Sequence, residues 1–238
     1  MKNVDQLRVK IFADGADKAG MLEMYQNPSI KGFTTNPTLM RKAGVTDFEY
    51  FARDILKSIP DRPISFEVFS DDFEQMHQQA LKIAAWGKNV YVKIPVTNTK
   101  GESSLKLIRT LASEKVKLNI TAMMTLEQVK QVSDALSEAT ASIISVFAGR
   151  IADTGFDPLP LMQSALKIMA PNPHIELLWA SPRELLNIVQ ADDIGCHIIT
   201  VSNDILKKLS LLGKNLDQYS LETVQMFHQD ADNAGYKL

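Results

Sequence analysis

The feature that most constrains this chain is an alternation repeated eight times. Short runs rich in β-branched and aromatic residues are each followed by a longer segment with an apolar stripe at helical spacing. The spacing predicts strands over 8–13, 30–34, 64–69, 90–94, 116–121, 142–147, 175–180 and 196–201. Between them it predicts helices over 16–26, 48–59, 101–113 and 157–170. Ser70-Asp71-Asp72 caps a further helix that shows Phe73, Met76, Ala80 and Ile83 on one face, and Thr125 with Gln128 forms a capping box. Ser181-Pro182 is expected to start the helix after the seventh strand, and Ser202-Asn203-Asp204 the one after the eighth.

Strands that alternate with helices in this way run parallel and need crossover connections. Eight such units in 238 residues fit a single closed (β/α)₈ barrel. A doubly wound open sheet is the alternative, but no glycine-rich phosphate fingerprint follows the first strand. No linker or low-complexity stretch divides the chain, so 1–238 is expected to be one barrel domain. A last helix, over 217–233, lies outside the pattern and would pack on its own barrel or on a neighbouring subunit.

The fourth strand carries an anomaly. In Val90-Tyr91-Val92-Lys93-Ile94-Pro95, Lys93 stands in the middle of an apolar run. A buried ammonium without a partner costs several kcal/mol unless it gives up its proton, roughly speaking. Two readings follow: a lysine that snorkels to solvent, or an amine that forms a Schiff base with a carbonyl substrate. In a parallel barrel the active site lies at the carboxyl ends of the strands. The chain places Asp14, Thr34, Asn36, Glu67, Lys93, Asn119, Thr121, Ser145, Phe147, Arg150, Ser181 and Arg183 at or just beyond those ends. Each has an ordinary explanation alone, such as a helix cap for Asp14 or Ser181. Their gathering around one costly lysine points to a catalytic rim.

Other classes are disfavoured. The net charge is −2 and no basic run appears, so nucleic acid is not an expected partner. No segment approaches the ~20 apolar residues of a membrane span, and residues 1–6 lack a signal-peptide core. Cys196 is the single cysteine, which excludes an internal disulfide and suggests a cytoplasmic setting. His77, His174, His197 and His228 show no metal-ligand spacing, and no metal or cofactor is expected.

The blocks Phe12-Ala13-Asp14-Gly15, Thr34-Thr35-Asn36-Pro37, Phe66-Glu67-Val68, Val92-Lys93-Ile94-Pro95, Asn119-Ile120-Thr121, Phe147-Ala148-Gly149-Arg150-Ile151 and Ala180-Ser181-Pro182-Arg183 occur in this order. With them, from about residue 8 to 210, the sequence resembles the transaldolase family, in the compact group that also contains fructose-6-phosphate aldolase. The resemblance implies a metal-independent Schiff-base enzyme acting on sugar phosphates. It gives Lys93 the Schiff base and Asp14 the acid–base work at the substrate C4 hydroxyl. Glu67 and Thr121 would hold and protonate the water exchanged with the imine. Thr34, Asn36 and Asn119 would meet the donor, while Arg150, Ser181 and Arg183 would hold the phosphate, with Ser145 supporting donor or phosphate. In the family, glutamate and phenylalanine at positions 67 and 147 go with transaldolases; glutamine and tyrosine go with aldolases. This chain has Glu67 and Phe147. Pro182 departs from the aromatic usual before the basic residue. Two alternatives stay open: an aldolase that releases free dihydroxyacetone, and a catalytically silent sugar-phosphate-binding barrel. The resemblance also suggests a homo-oligomer.

Overall fold

The computed structural model describes residues 3–136 and 140–237. Eight parallel strands close on one another in sequence order. They are β1 Lys10–Asp14, β2 Ile30–Thr34, β3 Ile64–Glu67, β4 Val90–Pro95, β5 Leu118–Met123, β6 Ser142–Val146, β7 Ile175–Trp179 and β8 Ile198–Ser202. The helices of the outer ring are α1 Lys18–Gln26, α2 Pro37–Lys42, α3 Phe48–Ser58, α4 Phe73–Ala84, α5 Leu105–Ser113, α6 Leu126–Ala135, α7 Ala148–Asp153, α8 Leu159–Met169, α9 Leu186–Asp193 and α10 Asn203–Leu206. The closed barrel is the predicted architecture, and the open sheet is excluded.

Alternation along each strand creates two cores. Ile11, Phe33, Phe66, Val92, Ile144 and Trp179 point outward into one large apolar layer between sheet and helices. Full burial of such a side chain is worth about 1.5–3 kcal/mol, so this layer carries most of the stability. Phe12, Ile143, Leu178, Ala180 and Ile198 form a separate, smaller cluster on the inner face, with Tyr91 and Phe147 against it. Lys93 shares that inner face with Tyr91, two residues earlier. Its burial is therefore a consequence of register: Glu67, Lys93 and Asn119 are in-register neighbours on β3, β4 and β5.

Several boundaries differ from those read in the sequence. Two short helices were not anticipated as separate elements. α2 starts because Asn36 caps it, with Leu39 N–H donating to Asn36 Oδ1 at 2.9 Å and Pro37 in the first turn. α7 follows β6 directly. The expected helix start at Ser181-Pro182 is displaced: Ser181 is left-handed (φ 60°), and α9 begins only at Leu186. Ser181 is thus no helix cap. The cap after β1 is Asp17, not Asp14. The Thr125–Gln128 capping box forms as expected.

The last helix, α11, spans Leu216–Ala234 and stops at left-handed Gly235. None of its residues is buried, and Leu221, Val224 and Phe227 are exposed at three-residue spacing.

Candidate active site

A cleft of about 610 Å³ opens at the carboxyl ends of the strands. All the rim residues singled out from the sequence line it: Asp14, Thr34, Asn36, Glu67, Lys93, Asn119, Thr121, Ser145, Phe147, Arg150, Ser181 and Arg183.

Lys93 sits at the centre. From the sequence Glu67 could partner any cation; the fold gives Lys93 that carboxylate and a backbone carbonyl. Its Nζ lies 3.0 Å from Glu67 Oε2 and donates to the Thr35 carbonyl at 2.9 Å. The side chains of Lys93 and Glu67 are only 9% and 18% exposed. Snorkelling is therefore excluded, and so is an unpaired buried charge. Glu67 binds the lysine directly.

Next to this pair is Asp14. Burial pushes its carboxyl above the ordinary carboxylate value; the charge of Lys93 and a hydrogen bond from Thr34 work against that, and Glu67 adds to it. Thr34 Oγ1 donates to Asp14 Oδ1 at 2.7 Å and is also bonded to the Thr200 hydroxyl.

On the other side, Asn119 is held at both ends. Its Nδ2 donates to Ser65 Oγ at 3.0 Å, and its Oδ1 accepts from Ser145 Oγ at 2.6 Å. That fixes the amide orientation and leaves one Nδ2 hydrogen for a ligand. Thr121 follows two residues later, before a bulge in which Ala122 is left-handed (φ 65°).

Arg150 and Arg183 form a cationic wall. Arg183 is gripped by Asp153 at the end of α7: its Nε donates to Oδ1 at 2.9 Å and its Nη2 to Oδ2. The Arg150 guanidinium lies over the Phe147 ring, 5.4 Å from its centroid. Gly149 allows α7 to meet the loop after β7, because a Cβ there would lie 1.5 Å from the Ser181 carbonyl oxygen.

Thr200, Ser65, Lys42 and Asp153 were missed in the sequence. Lys42 lines the cleft from the end of α2. Thr200 was legible: counting by two from Ile198 puts it on the inner face near the end of the last strand. Asp153 had no such signal, since its pairing needs the packing of α7. Among the described residues, no group of three or more His, Cys, Asp or Glu side chains is arranged to hold a metal ion. No helix among them is long and apolar enough to cross a membrane.

A closed parallel barrel with a polar, partly buried cleft at its carboxyl-terminal face defines a (β/α)₈-barrel enzyme. A family model described as Transaldolase/Fructose-6-phosphate aldolase matches residues 11–238. The chain belongs to the transaldolase/fructose-6-phosphate aldolase family. A protein named "Probable transaldolase" from Clostridium acetobutylicum is 36% identical over 202 residues, covering 84% of this chain and 89% of that protein. Another so named, from Thermoanaerobacter sp., is 33% identical over 232 residues, covering 97% and 100%. Among solved structures, KGPDC from Streptococcus mutans superposes with a TM-score of 0.59 at 10% identity, covering 85% of this chain and 91% of that one. A 2,3-dimethylmalate lyase gives 0.57 at 11% identity, covering 98% and 86%. At such identities these two share the fold alone.

Proposed function

We propose that this chain is a transaldolase acting through a Schiff base on Lys93. The observation that carries the reading is a buried amine at the centre of a polar cleft, 3.0 Å from the Glu67 carboxylate. To attack the C2 carbonyl of a ketose phosphate, Lys93 must lose a proton, and Glu67 is within reach to take it. The amine adds to C2 and water leaves, giving an iminium. Glu67 returns its proton to the carbinolamine hydroxyl, which departs as that water and is held by Glu67 and Thr121. Asp14 then removes the proton of the C4 hydroxyl. The C3–C4 bond breaks, its electron pair flows into the iminium, and an aldose phosphate departs. The enamine of dihydroxyacetone left on Lys93 adds to an acceptor aldose phosphate, and hydrolysis frees the new ketose phosphate. The scheme uses no metal or cofactor.

Binding follows from what each side chain has left. Asn36 has its Oδ1 engaged by Leu39 N–H, so its amide N–H groups face the donor hydroxyls. Asn119 offers its second Nδ2 hydrogen. Arg150, Arg183 and Ser181 hold the phosphate, a task suited to the planar guanidinium fork. The substrates are fructose 6-phosphate or sedoheptulose 7-phosphate as donor, with erythrose 4-phosphate or glyceraldehyde 3-phosphate as acceptor, as in the pentose phosphate pathway.

Glu67 and Phe147 favour transfer over simple cleavage. The deciding experiment is a product assay. Fructose 6-phosphate with erythrose 4-phosphate should yield a seven-carbon ketose phosphate, and fructose 6-phosphate alone little dihydroxyacetone. Equal cleavage with and without acceptor would establish the aldolase instead. Borohydride reduction with substrate should add mass to the peptide containing Lys93; labelling of another lysine rejects the Schiff-base assignment.

The reading extends to a homo-oligomer in the cytoplasm. Its support is α11, which buries no residue on its own barrel and leaves Leu221, Val224 and Phe227 exposed. On this reading 1–238 is one barrel domain whose last helix packs on a neighbouring subunit. Val224→Asp should lower the mass measured by light scattering. A wild-type monomer at micromolar concentration would refute the assembly. The cytoplasmic setting rests on the lone Cys196, which leaves the chain without an internal disulfide.

A further inference from the structure

We propose that Thr200 is a positioning residue for the Asp14 carboxylate, acting through Thr34; its effect on turnover rests on the acid–base role given to Asp14 above. The observation is a chain of hydroxyls inside the barrel. β8 and β2 flank β1, with Phe12 in register with Thr200 and Asp14 in register with Thr34. Thr34 and Thr200 lean towards each other across the inner face of β1 and are hydrogen-bonded, and Thr34 is 2.7 Å from Asp14 Oδ1.

The direction of the chain follows from proton counting. A hydroxyl has one proton, and an ionised carboxylate can only accept. Thr34 must therefore donate to Asp14. With its proton spent, Thr34 can only accept from Thr200, so Thr200 donates to Thr34. The reverse arrangement would turn a lone pair of Thr34 on the carboxylate. Both threonines are buried, 3% and 7% exposed, at the floor of the cleft, so each depends largely on its protein partners. A donor behind Thr34 also polarises its O–H and strengthens the bond to Asp14. The chain occupies Oδ1 and leaves Oδ2 as the acceptor for the substrate hydroxyl.

Asp14 is faced by Lys93 from β4 and Glu67 from β3. Lys42, Arg150 and Arg183 line the same cleft, and Asp17 and Asp204 line the adjoining pocket beside Asp14. None of these charges changes when Thr200 is replaced, so a shift in the behaviour of Asp14 reports the hydroxyl chain alone.

The test compares Thr200→Val, which keeps the shape and removes the donor, with Thr200→Ser, which keeps the donor. Thr200→Val should lower kcat for donor cleavage by about tenfold, the worth of one hydrogen bond felt in the transition state. KM should stay within about twofold. The acid limb of the pH profile should move to higher pH, and borohydride trapping on Lys93 should be retained. Thr200→Ser should recover most of the loss. A readout independent of turnover is the ¹³C titration of the Asp14 carboxyl, assigned with Asp14→Asn. Its midpoint should rise in Thr200→Val and return in Thr200→Ser. An unchanged midpoint in folded Thr200→Val, or a serine variant shifted as far as the valine variant, overturns the proposal. The titration decides it even if the wild-type protein proves inactive on sugar phosphates, which would reject the transaldolase reading and leave this one standing.

Discussion

Two ion pairs of the same chemical kind stand at different depths of the cleft, and burial makes them different devices. Lys93–Glu67 lies inside the barrel, with side chains 9% and 18% exposed. Arg183–Asp153 lies on the rim, with side chains 47% and 52% exposed. In the first, each charge leans on the other, because little water reaches the pair and breaking it strands a poorly solvated charge. In the second, water and salt compete with the contact, and an incoming anion can do the same. The inner pair suits a proton transfer between fixed atoms. The outer pair suits a guanidinium held in place but free to exchange a ligand.

The largest expected effect comes from breaking the inner pair. Lys93→Ala should abolish turnover and also cost on the order of 3 kcal/mol of stability, because Glu67 is left buried without its cation. Adding Glu67→Gln should recover much of that stability and none of the activity. Chemical denaturation of the two single variants and the double gives the coupling, expected at about 1–3 kcal/mol. Additive effects would mean that the two side chains are not interdependent.

The outer pair should answer the other way. Arg183→Ala should leave stability within about 1 kcal/mol, as for other exposed pairs. It should raise KM for phosphorylated substrates by roughly ten- to several-hundred-fold, and that for dihydroxyacetone much less, as expected for one charge-assisted contact. Asp153→Ala should raise the same KM by a smaller factor of about three to ten, since the guanidinium remains but is no longer aimed. Steady-state kinetics on both substrates checks this. Equal losses on phosphorylated and plain substrates would reject the phosphate role.

The contrast also explains what the sequence could and could not show. The barrel was legible because alternation within strands and helical stripes between them are local patterns. Lys93 was legible as a cost, since an ammonium in an apolar run violates that pattern. Its partner was less so. Glu67 was visible at the end of its strand, but that it touches Lys93 depends on the pairing of β3 with β4. Asp153 and the left-handed Ser181 were out of reach, because both arise from the close packing of Gly149 against the loop after β7. Local sequence offers no period for such a contact. The strand ends were misplaced by one or two residues for a similar reason: hydrogen bonding to the next strand, not composition, decides where pairing stops.

Asp14 sharpens the comparison, since it lines the same cleft, is partly buried, and forms no ion pair among the described residues. Burial raises its carboxyl above the ordinary value, the charge of Lys93 and the bond from Thr34 oppose the rise, and Glu67 adds to it. The native state therefore holds this proton to higher pH than the unfolded chain does. In that window the native state binds more protons, so stability falls as pH rises from the unfolded value through the native one. At neutral pH the ionised carboxylate is a net cost. Asp14→Asn should then be more stable than wild type at pH 7, less so near pH 4, and inactive. Thermal melts at both values check the sign; a variant destabilised at pH 7 would contradict it.

The smallest effect is expected at Phe147, which lines the same cleft. Its ring packs on the inner apolar cluster, and Arg150 lies over it. A transferase must keep its enamine until an aldose arrives, whereas an aldolase lets it be protonated and hydrolysed. Hydrolysis needs a water oriented towards the iminium carbon. Phe147 has no polar atom with which to orient one. A tyrosine at that position, which lines the cleft, would add a polar atom there. Phe147→Tyr should therefore raise the release of free dihydroxyacetone from fructose 6-phosphate by a few-fold, about the effect of 1 kcal/mol or less. Transfer to erythrose 4-phosphate should change little. Measuring both products side by side separates the outcomes: a parallel fall in release and transfer would show that the ring serves packing alone, and water control at the iminium would then fall to Glu67 and Thr121.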